Sequence, residues 1–123
     1  MWYAGAKKKP IPVNFNVGGN SPRILVVHMM QGYLAGTDTI FRNPAYQASA
    51  HFGVGKDGRV WQWVSTDDTA WHAFDANSYS IGVEHEGFLG DALTVKQIRA
   101  TGGILAWAHK KHPAIKICVN TDR

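Results

Sequence analysis

The residues with the most chemical capacity in this chain are its histidines and two closely spaced glutamates. Four of the six histidines, His28, His51, His72 and His85, fall at or beside strand ends and loops. His28 closes the run Arg23-Ile24-Leu25-Val26-Val27, four apolar residues that read as a strand buried on both faces. An imidazole there sits at the rim of a sheet, within reach of a ligand or a metal. The alternative is a core histidine satisfied by a backbone hydrogen bond. Glu84 and Glu86 share one face of a regular strand, with His85 on the other. A glutamate at a sheet rim serves as a general base or as a salt-bridge partner. Trp71-His72 lies beside a loop rich in Asn and Ser, where the indole offers a stacking face for a sugar or a plug for the core. No H-E-x-x-H, Cys-x-x-Cys, Gly-x-Ser-x-Gly or Walker pattern occurs, so the local motifs for zinc, serine hydrolases and nucleotide phosphates are missing.

The elements that must position these groups follow from turn chemistry and periodicity. Residues 1–21, with Lys9-Pro10, Pro12 and Gly18-Gly19, predict an extended N-terminal lead-in. Gly36-Thr37-Asp38 predicts the cap of a short helix through Arg42, stopped by Asn43-Pro44. His51–Gly55 and Arg59–Val64 flank Lys56-Asp57-Gly58, a hairpin signal in which Gly58 supplies positive φ. Ser80–Gly87 predicts another strand. Thr94 with Gln97 is a capping box opening a long helix, with Val95, Ile98, Leu105 and Ala108 on its apolar face, Gly102-Gly103 packed close or bent, and Pro113 beyond its end. Ile115–Val119 predicts the last strand. This order predicts an α/β domain: a mixed central β-sheet flanked by helices.

A length of 123 residues allows one domain with a real core. No apolar run approaches the roughly 20 residues needed to cross a bilayer, and the N-terminus predicts no Sec-type signal. The single cysteine, Cys118, excludes an internal disulfide and an all-cysteine zinc site. A net charge of +4, with lysines at 7–9 and at 110, 111 and 116, favours anionic partners such as nucleic acid, a membrane surface or an acidic wall polymer, or else a merely solvated face. Residue chemistry alone leads to an α/β domain with a histidine-rich cleft.

Four segments add a more specific expectation. Val26–Gly32, Ser49–Val54 with Lys56-Asp57-Gly58, Ala70-Trp71-His72-Ala73 and Ser80-Ile81-Gly82-Val83-Glu84 occur in this order. They resemble the type 2 N-acetylmuramoyl-L-alanine amidase family, which shares its fold with peptidoglycan recognition proteins. The likeness is greatest to amidase domains of endolysins from phages that infect actinobacteria. It spans residues 22–123. The resemblance implies a zinc hydrolase of peptidoglycan that cuts between N-acetylmuramic acid and L-alanine. It implies His28 as a zinc ligand and Glu84 as the catalytic carboxylate. Trp71, His72 and Asn77 would line the substrate cleft, together with Gln31 in the turn after His28. A second zinc histidine and a third ligand come, in that family, from a loop after the last strand. This chain ends at Arg123, before a match to that loop, and Cys118 falls too early to correspond. His51, His72 and His85 are the other imidazoles available. The endolysin likeness further implies residence in a host cytoplasm until lysis gives access to the wall. Rival expectations are a peptidoglycan-binding module without catalysis, and a nucleic-acid-binding domain carrying no recognised motif. No specific nucleic acid, no membrane insertion and no particular oligomer are expected as partners.

Overall fold

The computed structural model describes residues 1–120. Its strands are β1 (Lys7–Lys8), β2 (Phe15–Gly19), β3 (Ile24–Met29), β4 (Phe52–Val54), β5 (Val60–Gln62), β6 (Asp68–Ala70), β7 (Ser80–His85) and β8 (Ile117–Asn120). Its α-helices are α1 (Leu34–Phe41) and α2 (Val95–Lys111). The main sheet runs β1-β5-β4-β7-β3-β8, and β2 pairs separately with β6. β4, β7, β3 and β8 are mutually parallel, and β5 is antiparallel to β4, so the sheet is mixed as expected.

β3 and β7 occupy the middle because their apolar residues are buried on both sides. On one face Leu25, Phe52, Val54, Ile81 and Val83 pack against Ile104 and Ala108 of α2, with Ile115. On the other, Leu34 and Phe41 of α1 join Ile11, Ala50, Trp63, Val64 and Ala70. Gly53 allows that second layer to close: a Cβ there would collide with the Trp63 ring and lie 2.8 Å from Leu34 Cδ1. The hairpin forms as predicted, with β4 and β5 antiparallel and Gly58 at φ 87°.

Several elements depart from the sequence reading. Residues 1–21 are extended but woven into the fold: β1 pairs with β5, β2 with β6, and Ile11 is core. Short polar strands give little periodic signal, and only their partners reveal them. Helix α1 begins at Leu34, with Tyr33 as an N-cap that makes no side-chain cap, and Thr37 and Asp38 lie inside it. Glu86 Oε2 accepts from the Leu34 amide at 2.8 Å, so a carboxylate from across the fold caps this helix. The capping box of α2 is present, with Thr94 Oγ1 accepting from the Gln97 amide at 3.1 Å. Of the predicted face of α2, Ala108 is buried and Leu105 packs against the core, whereas Val95 and Ile98 are exposed and Gln97 and Ile104 are buried instead. Gln97 is inside because its amide donates to the carbonyls of Val54 and Glu86. Of the glycine pair, a Cβ on Gly103 would press on Tyr3 Oη at 3.3 Å, while one on Gly102 would meet nothing. The last strand starts at Ile117, after buried Ile115, and lies at the sheet edge beside β3.

Candidate functional site

The parallel register of β3 and β7 sets His28 beside Glu84, and β4 places Gly53 on the far side of Glu84. In-register residues on neighbouring parallel strands, about 4.8 Å apart, project to the same face. His28 is buried and Glu84 half-buried.

His72 arrives at this face from the segment after β6. Its ring packs over Gly82, where a Cβ would stand 2.5 Å from the imidazole carbon Cγ. This explains a glycine inside an otherwise branched strand. His72 Nδ1 lies 2.9 Å from His28 Nε2, and its Nε2 lies 2.9 Å from Ser80 Oγ. The two rings meet edge-on with centroids 5.2 Å apart. Asn77 Oδ1 accepts from the amides of His72 at 3.0 Å and Ala73 at 2.7 Å, fixing the backbone that carries the ring.

Trp71, His72, Ala73 and Asn77 line a groove of about 400 Å³, completed by Gln47, Ala48 and Phe74. Trp71 is half-buried and donates through Nε1 to Asn16 Oδ1 at 2.7 Å, so one end of the indole is tethered to β2. Gln47 and Phe74 hold left-handed backbones at φ 48° and 49°, a conformation that non-glycine residues rarely adopt. A smaller recess of about 160 Å³ lies on another side of His28, between Met29, Leu93, Asp91 and Asn120. Gln31 is exposed, at φ 56°, and its Oε1 accepts from the Leu89 amide at 2.9 Å, bracing the loop at that recess.

Two of the remaining imidazoles are committed elsewhere. His51 is fully buried: Nδ1 accepts from the Gly82 amide at 3.1 Å, and Nε2–H donates to the Asp68 carbonyl at 2.9 Å. Burial pushes its pKa down to about 4, so the ring is neutral. His85 points to the opposite face, as predicted. It donates through Nδ1 to the His28 carbonyl at 3.2 Å and meets Thr101 Oγ1 through Nε2, and burial lowers its pKa. Glu86 accepts from the Leu34 and Lys56 amides and is structural. His109 and His112 bond to the Ile115 carbonyl and Thr66 Oγ1.

The site thus gathers His28, His72, Glu84, Trp71 and Asn77 around one region of the sheet, with Gln31 at its margin. Sequence reasoning missed Ser80 and Gly82, whose roles depend on where His72 lands. The only local signal was the glycine within the strand. Among the described residues no group of three or more His, Cys, Asp or Glu side chains could hold a metal ion. A catalytic zinc needs about three protein ligands. The described donors therefore do not fit a complete zinc site, and residues 121–123 lie outside the described residues. Cys118 lies within β8, exposed.

Residues 18–120 match the family model described as N-acetylmuramoyl-L-alanine amidase. The chain is 40% identical over 80 residues to N-acetylmuramoyl-L-alanine amidase A of Achromobacter lyticus, a match covering 64% of this chain. It spans 45% of the length of that relative. A crystal structure of a selenomethionine AmpD derivative superposes with a TM-score of 0.82 at 26% identity, covering 95% of this chain and 82% of that one. An endolysin N-acetylmuramoyl-L-alanine amidase of Clostridium intestinale URNW shares the fold, with a TM-score of 0.81 at 17% identity over 97% of this chain and 82% of that one.

Proposed function

This chain belongs to the N-acetylmuramoyl-L-alanine amidase family, and we propose on that premise that it acts on peptidoglycan. The bond hydrolysed is the amide joining the lactyl group of N-acetylmuramic acid to L-alanine of the stem peptide. One observation carries the reading: His28 and Glu84 are in-register neighbours, and His72, hydrogen-bonded to His28, is also a wall of the groove. Glu84 acts as general base, taking a proton from water as its oxygen bonds to the carbonyl carbon. The carbon–nitrogen bond then breaks as the proton held by Glu84 passes to the L-alanine nitrogen, which leaves as the free amine while the lactyl group keeps the water oxygen as a carboxyl group. Trp71 supplies a stacking face beside the groove, Asn77 holds His72, and Gln31 braces the rim. In this reading His28 is one ligand of the zinc that the family resemblance implies. The described residues do not complete the coordination of that metal. The likeness to an endolysin amidase fold extends the proposal to wall lysis by a protein held in a host cytoplasm until lysis begins.

The test is release of L-alanine amino termini from purified peptidoglycan. The unaltered chain is expected to release them, and Glu84→Gln to do so at least about 100-fold more slowly while still co-sedimenting with the wall. Equal rates would remove Glu84 from the mechanism. That the described residues do not by themselves form a metal-holding group favours a second reading, a module that binds peptidoglycan without cutting it. Co-sedimentation without release by the unaltered chain would select that reading.

A further inference from the structure

The hydrogen bonds behind His28 determine which ring nitrogens carry protons, and we propose that Ser80 is a positioning residue that sets the tautomer of His72 and, through it, of His28. Ser80 is fully buried at the start of β7 and has a single hydroxyl proton. Its Oγ lies 2.6 Å from the Ala76 carbonyl oxygen, which only accepts. Two oxygens at that separation need a proton between them, and only Ser80 has one. Ser80 Oγ must then accept from His72 Nε2, 2.9 Å away, so Nε2 carries the ring proton.

A neutral His72 protonated on Nε2 presents Nδ1 as an acceptor. That atom faces His28 Nε2 at 2.9 Å, so the proton shared by the two rings belongs to His28 Nε2. One short 3₁₀ helix, Phe74–Tyr79, organises the whole relay. Its Asn77 holds the His72 backbone, and its Ala76 carbonyl orders Ser80. Gly82 leaves the space in which the ring can lie. An outer hydrogen-bond partner of this kind fixes both the orientation and the basicity of the imidazole it serves. Ser80 therefore decides, through His72, that His28 Nε2 acts as a donor inside this relay. The functional consequence rests on the reading of this cleft as the peptidoglycan site, but the proton assignment does not.

The experiment is nitrogen-15 NMR of the histidine rings in the full chain at neutral pH. The expected result is a protonated-type resonance for Nε2 in both His28 and His72 and an unprotonated-type resonance for Nδ1 of His72. In Ser80→Ala the two His72 resonances should move toward each other as the second tautomer becomes populated, with the backbone amide spectrum retained. Ser80→Thr, which keeps the hydroxyl, should restore the pattern. Amide hydrolysis should fall about 10- to 100-fold in the alanine variant. A His72 protonated on Nδ1 in the unaltered chain would overturn the proposal, as would an unchanged His72 pattern in Ser80→Ala. If Ser80→Ala fails to fold, the pattern in the unaltered chain decides alone. A chain that shows the expected tautomers but neither binds nor cuts peptidoglycan leaves the role of Ser80 standing and removes only the functional reading.

Discussion

At the scale of single residues, the histidines divide by what their second nitrogen touches. His51 and His85 have both ring nitrogens committed to backbone or hydroxyl partners, and they work as struts. His28 and His72 bond to each other, and His72 also to Ser80, at the edge of a groove. This has a consequence for acid stability. His51 titrates near 6.5 when unfolded and at about 4 when folded, because burial penalises the charged ring. Between those values the unfolded chain binds the extra proton, so stability is full above about pH 6.5 and falls as pH drops toward 4. The loss approaches about 3 kcal/mol from this group alone. Denaturant unfolding of the unaltered chain across that range should show the decline, and His51→Gln should flatten it. An equally steep decline in the variant would shift the cause to other groups.

At the scale of elements, helix α2 shows how a periodic sequence can indicate the right helix and only part of its buried face. The spacing puts Ile98 on the apolar face, yet Ile98 is 57% exposed, whereas Ile104, six positions on and about 120° around the helix, is fully buried against the sheet. The stripe is shifted because Gln97 turns inward to the Val54 and Glu86 carbonyls, groups that only the assembled sheet presents. Ile104→Ala should therefore cost about 2–5 kcal/mol, and Ile98→Ala no more than about 0.5 kcal/mol. Chemical denaturation of the pair measures the difference directly, and similar costs for the two would mean that the helix is rotated. The start of this helix was legible because Thr94 and Gln97 are sequence neighbours. The start of α1 was not, because its cap is Glu86, 52 residues away.

At the scale of the whole molecule, the N-terminal segment behaves as part of the domain. Ile11 is buried, its amide donates to the Trp63 carbonyl at 3.1 Å, and Tyr3 packs edge-on against Phe52 and tilted against Trp107. Asn14 donates to the carbonyls of Phe41 and Asn43, tying this segment to the end of α1. Removing residues 1–21 should lower Tm by at least about 10 °C, or roughly 3 kcal/mol for a chain of this size. Calorimetry of the shortened chain beside the unaltered one tests this, and a change of only a degree or two would make the segment an accessory.

The sequence by itself determined whatever depends on near neighbours. The apolar run ending in His28, the hairpin around Gly58, the capping box at Thr94 and the strand carrying Glu84 each draw on residues a few positions apart. Those features were enough to place the α/β class and most of the candidate site. Tertiary structure alone decided which histidines remained for function, because each ring's role depends on a partner brought from elsewhere: Gly82 and Asp68 for His51, Thr101 and the His28 carbonyl for His85, His28 and Ser80 for His72. It also decided that residues 1–21 join the sheets. A two-residue strand such as Lys7–Lys8 has no periodicity to read and exists only where Trp61 and Gln62 meet it. Local pattern specifies what the backbone does next, whereas a site is made of distances between residues far apart in the chain, which packing alone sets.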